Sequence, residues 1–150
     1  MRRRLEQGLD LHTLSHEQHR ALTESLLDEM LDAMATATRR SGGFICDRSP
    51  LDMQAFWLYY RFAFDEAATA TFMNRAVRAL HDLDLVVVLP RNAFALEDDG
   101  VRSANPWIQL HFDALLDAML RDAGDAVKVL RVPATCNEPD ARVEAVLAAL

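Results

Sequence analysis

Lysine is almost absent from this 150-residue chain, since Lys128 is the only one among its 16 basic residues. The rest are arginines, a bias that fits either a GC-rich gene or the use of guanidinium forks to hold phosphate groups. Acidic residues outnumber basic ones, and the formal net charge is −7. Because a nucleic-acid-binding protein needs a basic face to displace counterions, the charge argues against a nucleic-acid partner.

Cysteines and long apolar runs are also scarce. Cys46 and Cys136 are the only two cysteines, and their spacing is not that of a zinc or redox motif. No apolar run approaches the roughly 18 residues that a membrane span needs. The basic start at residues 1–4 is followed by polar and acidic residues rather than by a signal-peptide core. We therefore expect reduced thiols, no membrane partner and a cytoplasmic location.

Capping signals and apolar periodicity predict a loose segment, residues 1–14, and one domain, residues 15–150. Ser15 and Gln18 form a capping box at the start of the first helix. Ser49 is placed to cap the second helix. The predicted helices cover residues 15–40, 50–64, 66–82 and 106–123, with a last helix after Asn137; the predicted strands cover residues 44–47, 83–89 and 127–132.

Strands that alternate with helices predict an α/β fold built on a three-layer parallel sheet with right-handed crossovers. Residues 83–89 include Leu-Val-Val-Val-Leu, a run apolar on both sides, as in a strand covered by helices on both faces. Ligands of such sheets bind at the carboxyl ends of the strands. That places the candidate site at residues 47–49, 90–102 and 133–137.

An ordered series of motifs carries a family resemblance. Asp-Arg-Ser-Pro-Leu-Asp at residues 47–52 is followed by an aromatic helix segment at residues 56–60. Leu-Val-Val-Val-Leu-Pro at residues 85–90 and Glu-Asp-Asp-Gly-Val-Arg at residues 97–102 come next. In this order the motifs resemble AAA-type P-loop nucleoside and nucleotide kinases related to the kinase domain of the bacterial NAD-biosynthesis regulator, over residues 15–150.

The resemblance implies an enzyme that transfers the γ-phosphoryl group of ATP, with Mg²⁺, to a small nucleoside- or nucleotide-like acceptor. It makes Asp47 a catalytic residue and metal ligand, and Arg48 the catalytic cation beside the transferred group. The other implied roles are a phosphate-binding lid and a nucleotide-binding loop. The lid residues are Arg91, Asp98, Asp99 and Arg102, and the loop residues are Thr135 and Asn137.

The glycine-rich loop G-x-x-x-x-G-K-[S/T], which holds ATP phosphates in this kinase class, does not occur in the 150 residues. Against the family pattern, the expected sheet is incomplete, with the first strand and the phosphate loop absent. We weigh three interpretations. The chain is a truncated or degenerate kinase that is inactive in isolation; it is a non-catalytic remnant that binds a nucleotide or a protein; or it is an assembly protein completed by a second chain, such as a homodimer formed by strand exchange.

Each candidate residue also has a purely structural interpretation. Asp47 and Arg48 could form an ion pair at a strand end, and Ser49 and Asn137 could serve only as helix caps. The aromatic residues 56–60 could stack on a substrate, but packing in the core or at an interface is the commoner role of such residues. Cys46 is expected to be a small, buried apolar residue.

Overall fold

The computed structural model describes residue 9 and residues 13–90, 105–136 and 138–150. The chain divides into two compact units, Met1–Leu80 and His81–Leu150. The described residues form five α-helices, two short strands and short 3₁₀ turns. The helices are α1 (His16–Ser41), α2 (Pro50–Tyr59), α3 (Glu66–His81), α4 (Pro106–Ala123) and α5 (Pro139–Ala149), and the strands are β1 (Val86–Val88) and β2 (Val129–Arg131).

The first helix begins and ends where its capping residues predict. The Gln18 amide donates to Ser15 Oγ over 3.2 Å, and the Ser15 amide donates to Gln18 Oε1 over 2.8 Å. These two bonds satisfy backbone donors that the first turn of a helix leaves unpaired. Gly42 ends the helix in a left-handed conformation with φ of 72°. The capping box predicted from the sequence is confirmed.

The core of the first unit forms around Trp57, which is completely buried. Its ring stacks on Phe72 with centroids 4.2 Å apart, and its Nε1 donates to Thr69 Oγ1 over 2.9 Å. The Thr69 hydroxyl in turn donates to the Phe62 carbonyl over 3.1 Å. The buried cluster draws on α1, α2, α3 and the 3₁₀ helix Phe62–Phe64; its members are Leu27, Met53, Trp57, Phe62, Phe72 and Ala76. Core packing is therefore the role of Trp57.

The second unit contains the sheet of the described residues, a parallel pair of strands. Val86 aligns with Val129, and Val88 aligns with Arg131. Helix α4 lies between the two strands in sequence, as a parallel crossover requires. The parallel orientation predicted from the alternation of strands and helices is confirmed for these two strands.

The predicted three-layer parallel sheet is wrong, because the described residues are mostly helical and hold only these two short strands. Residues 44–47 are not a strand: Ile45 is fully exposed, and Cys46 is exposed rather than buried. A strand requires a neighbour that pairs with its backbone groups, and no described residue pairs with this segment. Val87 in β1 is also exposed, so that strand is not covered on both faces.

Two helix boundaries also differ from the prediction. The helix predicted over residues 50–64 ends at Tyr59, because Arg61 adopts a left-handed conformation and breaks the helical path. The N-cap of the last helix is Glu138, and Asn137, predicted as that cap, lies outside the described residues. No helix in the described ranges is both long enough and apolar enough to cross a membrane.

Candidate functional site

The turn before α2 presents the two residues that the sequence marks as catalytic. Asp47 and Arg48 are both exposed. Arg48 has a φ of 79°, a left-handed conformation that residues with a Cβ rarely adopt. The next residue, Ser49, returns to an extended conformation as the N-cap of α2, and Pro50 opens the helix. The backbone therefore turns sharply at Arg48.

The Arg48 side chain is held from two sides. Its Nη1 donates to Asp52 Oδ1 over 3.2 Å, and its Cζ lies 5.4 Å from the centroid of the Phe56 ring. Phe56 lies one turn beyond Asp52, so both anchors lie on one face of α2. About half of the Arg48 side chain stays exposed, at 51%. The guanidinium is thus oriented by the helix yet open to solvent.

Asp52 has a structural role in this turn. Its Oδ2 accepts hydrogen bonds from the Ser49 amide over 2.7 Å and from the Ser49 hydroxyl over 3.2 Å. These contacts and the pair with Arg48 occupy both carboxylate oxygens. Arg48 pairs with Asp52 rather than with Asp47, the partner that the structural alternative gave it, and the Asp47 carboxylate lies outside the cap.

Cys46 lies beside these carboxylates. Partial desolvation raises the pKa of the Cys46 thiol, and the negative charges of Asp52 and Asp47 raise it further. A raised thiol pKa keeps the sulfur protonated near neutral pH, so it is not an activated nucleophile.

The other predicted site residues fall in the second unit or outside the described residues. Thr135 is exposed in the turn that follows β2, where the Cys136 amide donates to the Pro133 carbonyl over 2.9 Å. The predicted lid and the second nucleotide-loop residue lie outside the described ranges; they are Arg91, Asp98, Asp99, Arg102 and Asn137. Within those ranges, no group of three or more His, Cys, Asp or Glu side chains could hold a metal ion.

Sequence reasoning missed the part that Phe56 plays at this turn. The residue packs against the buried core, one of its two expected roles, and its ring also lies under the Arg48 guanidinium, which the sequence did not predict. A signal was present, because Arg48, Asp52 and Phe56 follow one another at intervals of four residues, the spacing of neighbours on one helical face.

Comparison with known families identifies the class of the chain. The AAA domain model matches residues 1–138, so the chain belongs to the AAA domain family, which is of the P-loop NTPase type. Neither the comparison with curated proteins nor that with solved structures found a match.

Proposed function

We propose that the chain is a kinase-like P-loop NTPase domain whose turn at residues 47–49 binds the phosphate-bearing group of a nucleotide- or nucleoside-like ligand. The observation that carries this proposal is the conformation of Arg48. Its strained backbone places a half-exposed guanidinium directly before the N-terminus of α2.

A cation at this place is electrostatically unfavourable unless an anion accompanies it. The N-terminus of a helix carries a partial positive charge, so a neighbouring arginine costs about 0.3–1 kcal/mol. The left-handed backbone of Arg48 costs about 1–2 kcal/mol more. The pair with Asp52 offsets part of this cost, but such exposed pairs contribute only about 0.2–1 kcal/mol. A bound phosphate would interact favourably with both the guanidinium and the helix terminus.

The neighbouring carboxylate gives the turn a second chemical role. Asp47 is exposed and takes no part in the cap, so its oxygens are available to a hard cation such as Mg²⁺. Phosphoryl transfer needs a metal to neutralise the phosphate oxygens and a cation to stabilise the charge of the transferred group. Asp47 and Arg48 match these two requirements, and Mg²⁺ with ATP is the cofactor set that we propose.

We expect binding without turnover from these 150 residues. They contain no glycine-rich loop with its lysine, the part of P-loop enzymes that cradles the β- and γ-phosphates. The lid function of Arg91, Asp98, Asp99 and Arg102, and the adenine contact of Thr135 and Asn137, remain proposals of the same kind.

The test measures ligand affinity and turnover in one preparation. Isothermal titration with Mg·ATP and with nucleoside monophosphates is run on the wild type, on Asp47→Asn and on Arg48→Gly. Arg78→Gly, a change at an exposed arginine within α3, is the matched control. We expect Arg48→Gly to weaken binding about tenfold or more, since a hydrogen bond to a charged group contributes about 1.5–3 kcal/mol.

Two results would contradict this proposal. One is equal affinity for wild type and Arg48→Gly, and another is no measurable affinity of the wild type for any phosphate-bearing nucleotide. Magnesium-dependent ATP turnover by the purified chain would overturn the expectation of binding alone, while leaving the kinase-like assignment in place.

A second candidate function, assembly through the sheet, is favoured by the exposure of the strand region in the second unit. Val87 within β1 and Leu89 just beyond it are exposed, and each strand has one partner among the described residues. Unpaired strand edges with apolar side chains favour pairing with another chain. Oligomeric state distinguishes this candidate from the first.

A further inference from the structure

The first unit contains a cleft of about 500 Å³ at the far end of α2 from Arg48. It lies where the first turn of α1 faces the segment that joins α2 to α3. Because α2 has 10 residues at a rise of about 1.5 Å each, roughly 15 Å of helix separates this cleft from the turn at residues 47–49. The volume is within the range of clefts that bind small molecules.

One wall of the cleft is built by Arg61 and Phe64. Arg61 is the second described residue with a Cβ and a positive φ, at 63°, and it directly precedes the 3₁₀ helix Phe62–Phe64. This conformation turns the chain so that the Arg61 guanidinium lies over the Phe64 ring, with its Cζ 5.4 Å from the centroid. Phe64 is 84% exposed, so much of its ring is accessible to a ligand.

Hydrogen bonds between elements join other residues that line the cleft. The His16 Nε2 lies 3.2 Å from the Tyr60 carbonyl oxygen, and Arg20 Nη1 donates to Asp65 Oδ2 over 2.9 Å. Burial raises the pKa of the Tyr60 phenol, so its ring brings no negative charge near neutral pH. The two contacts between elements hold α1 against the segment that joins α2 to α3.

Ion pairs between described residues balance the charge of only one of the two arginines that line the cleft. Arg20 is paired with both Asp65 and Glu24. Arg61 takes part in no ion pair with another described residue, and its guanidinium rests on an aromatic face instead. A guanidinium on a ring keeps its N–H fork free for a planar anion such as a carboxylate or a phosphate.

We propose that this cleft binds a small ligand that joins one flat ring to one anionic group. The ring stacks against the exposed Phe64, close to the other aromatic lining residues Tyr60 and Phe62. The anionic group accepts hydrogen bonds from Arg61. The ligand chemistry is that of an aromatic carboxylate or of a nucleoside monophosphate, and both present the same two features. The proposal is independent of nucleotide binding at Arg48, because the two groups of residues lie at opposite ends of α2.

The experiment is an amide chemical-shift titration of the full chain with four probes. Benzoate carries a ring and a carboxylate, and adenosine monophosphate carries a ring and a phosphate. Benzamide has the ring without the charge, and inorganic phosphate has the charge without the ring. We expect the first two probes to shift the amides of residues 60–65 at concentrations up to about 10 mM, with smaller effects from the last two. A stronger effect of benzoate or of adenosine monophosphate then decides between a carboxylate and a phosphate as the anionic group.

Two variants test how much the Arg61 and Phe64 side chains contribute to binding. Arg61→Gly removes the guanidinium while glycine accepts the left-handed backbone, so the fold is kept and affinity falls about tenfold or more. Phe64→Ala removes an exposed ring and weakens binding about fivefold or more. Arg78→Gly, at an exposed arginine of α3 that has no role in either site, is the control and leaves the shifts at residues 60–65 unchanged.

Either of two outcomes would overturn the proposal. The first is that neither ring-bearing anion shifts residues 60–65, or that its shifts map only to residues 46–52. The second is that Arg61→Gly, with an unchanged melting temperature, binds the probes as tightly as the wild type. Adenosine monophosphate shifts confined to residues 46–52 would leave nucleotide binding at Arg48 intact, so failure here and failure there are distinguishable.

Discussion

Arg48 and Arg61 lie just outside the two ends of α2, and both hold a left-handed backbone conformation that favours glycine. The guanidinium of each arginine lies over an aromatic ring, that of Phe56 for Arg48 and that of Phe64 for Arg61. A residue in such a conformation persists only where its surroundings enforce it, and such positions cluster at functional sites. At the residue scale, these two arginines are the clearest indications of binding chemistry in the described chain.

Replacing Arg48 by glycine is expected to leave the free energy of unfolding within about 0.5 kcal/mol of wild type. The relief of left-handed strain, about 1–2 kcal/mol, is offset by the greater freedom of glycine in the unfolded chain and by loss of the Asp52 pair. The matched change Arg78→Gly, inside α3, should cost about 1 kcal/mol. Urea unfolding followed by tryptophan fluorescence measures both, and an equal loss in the two variants would show that Arg48 is not strained.

Asp65 makes the stability of the first unit depend on pH in the acid range. The Ala68 amide, which donates to Oδ1 over 3.1 Å, and then Arg20 hold the pKa of Asp65 below its usual value. Because the folded-state pKa is depressed, the stabilisation is complete above the unfolded pKa of about 3.9 and is lost as pH falls through the folded value.

Asp65→Asn keeps an oxygen acceptor but removes the charge. We expect this variant to unfold at lower urea than wild type at pH 7, and the difference to shrink as pH is lowered below about 4. High salt should also reduce it, since the carboxylate is exposed. Asp32→Asn, on the exposed face of α1, is the control. A stability difference between wild type and Asp65→Asn that stays constant down to acid pH would mean that the Asp65 charge contributes nothing to stability.

At the scale of elements, local signals predicted helices well and strands poorly. The capping box at Ser15 and the glycine after α4 mark helix ends because capping involves residues close in sequence. Residues 44–47 have the apolar composition of a strand, but a strand forms only where a distant segment supplies hydrogen bonds, and composition does not reveal that partner. The end of α2 was missed because an arginine, not a glycine, adopts the left-handed turn at residue 61.

The packing of α2 against α3 depends on the hydroxyl group of Thr69. Thr69→Val keeps the shape of the side chain but removes the acceptor of the fully buried Trp57 indole N–H. An unpaired buried donor costs about 1–3 kcal/mol, so we expect the free energy of unfolding to fall by that amount. Chemical denaturation of the purified variant measures the change.

Two companion variants show whether the hydroxyl group is responsible. Thr69→Ser keeps the hydroxyl and should recover most of the loss. Thr71→Val removes an exposed hydroxyl that bonds only within its own helix, and it should change stability by less than about 0.5 kcal/mol. If both valine variants lost the same stability, the bond to Trp57 would not be the cause.

At the scale of the whole molecule, the sequence located only part of the candidate site. It singled out Asp47 and Arg48 from a motif, because the motif is contiguous and its turn precedes a capped helix. It did not reveal that a cleft lies at the other end of α2, away from Arg48. That cleft depends on backbone conformations and ring positions that arise when α1, α2 and α3 pack together.

The exposed strand region in the second unit predicts self-association. Val87 within β1 and Leu89 beside it are exposed, and the described sheet has only two strands. Since an open edge can pair with the same edge of another copy, we expect sedimentation velocity to show a dimer fraction that rises with protein concentration. The net charge of −7 opposes association, so added salt should increase that fraction.

Val87→Lys places a charge at the strand and should abolish the dimer, whereas Val77→Lys, at an exposed position of α3, should not. A chain that stays monomeric at every concentration and salt level, or a Val87→Lys variant that dimerises as the wild type does, would leave nucleotide binding as the better supported function.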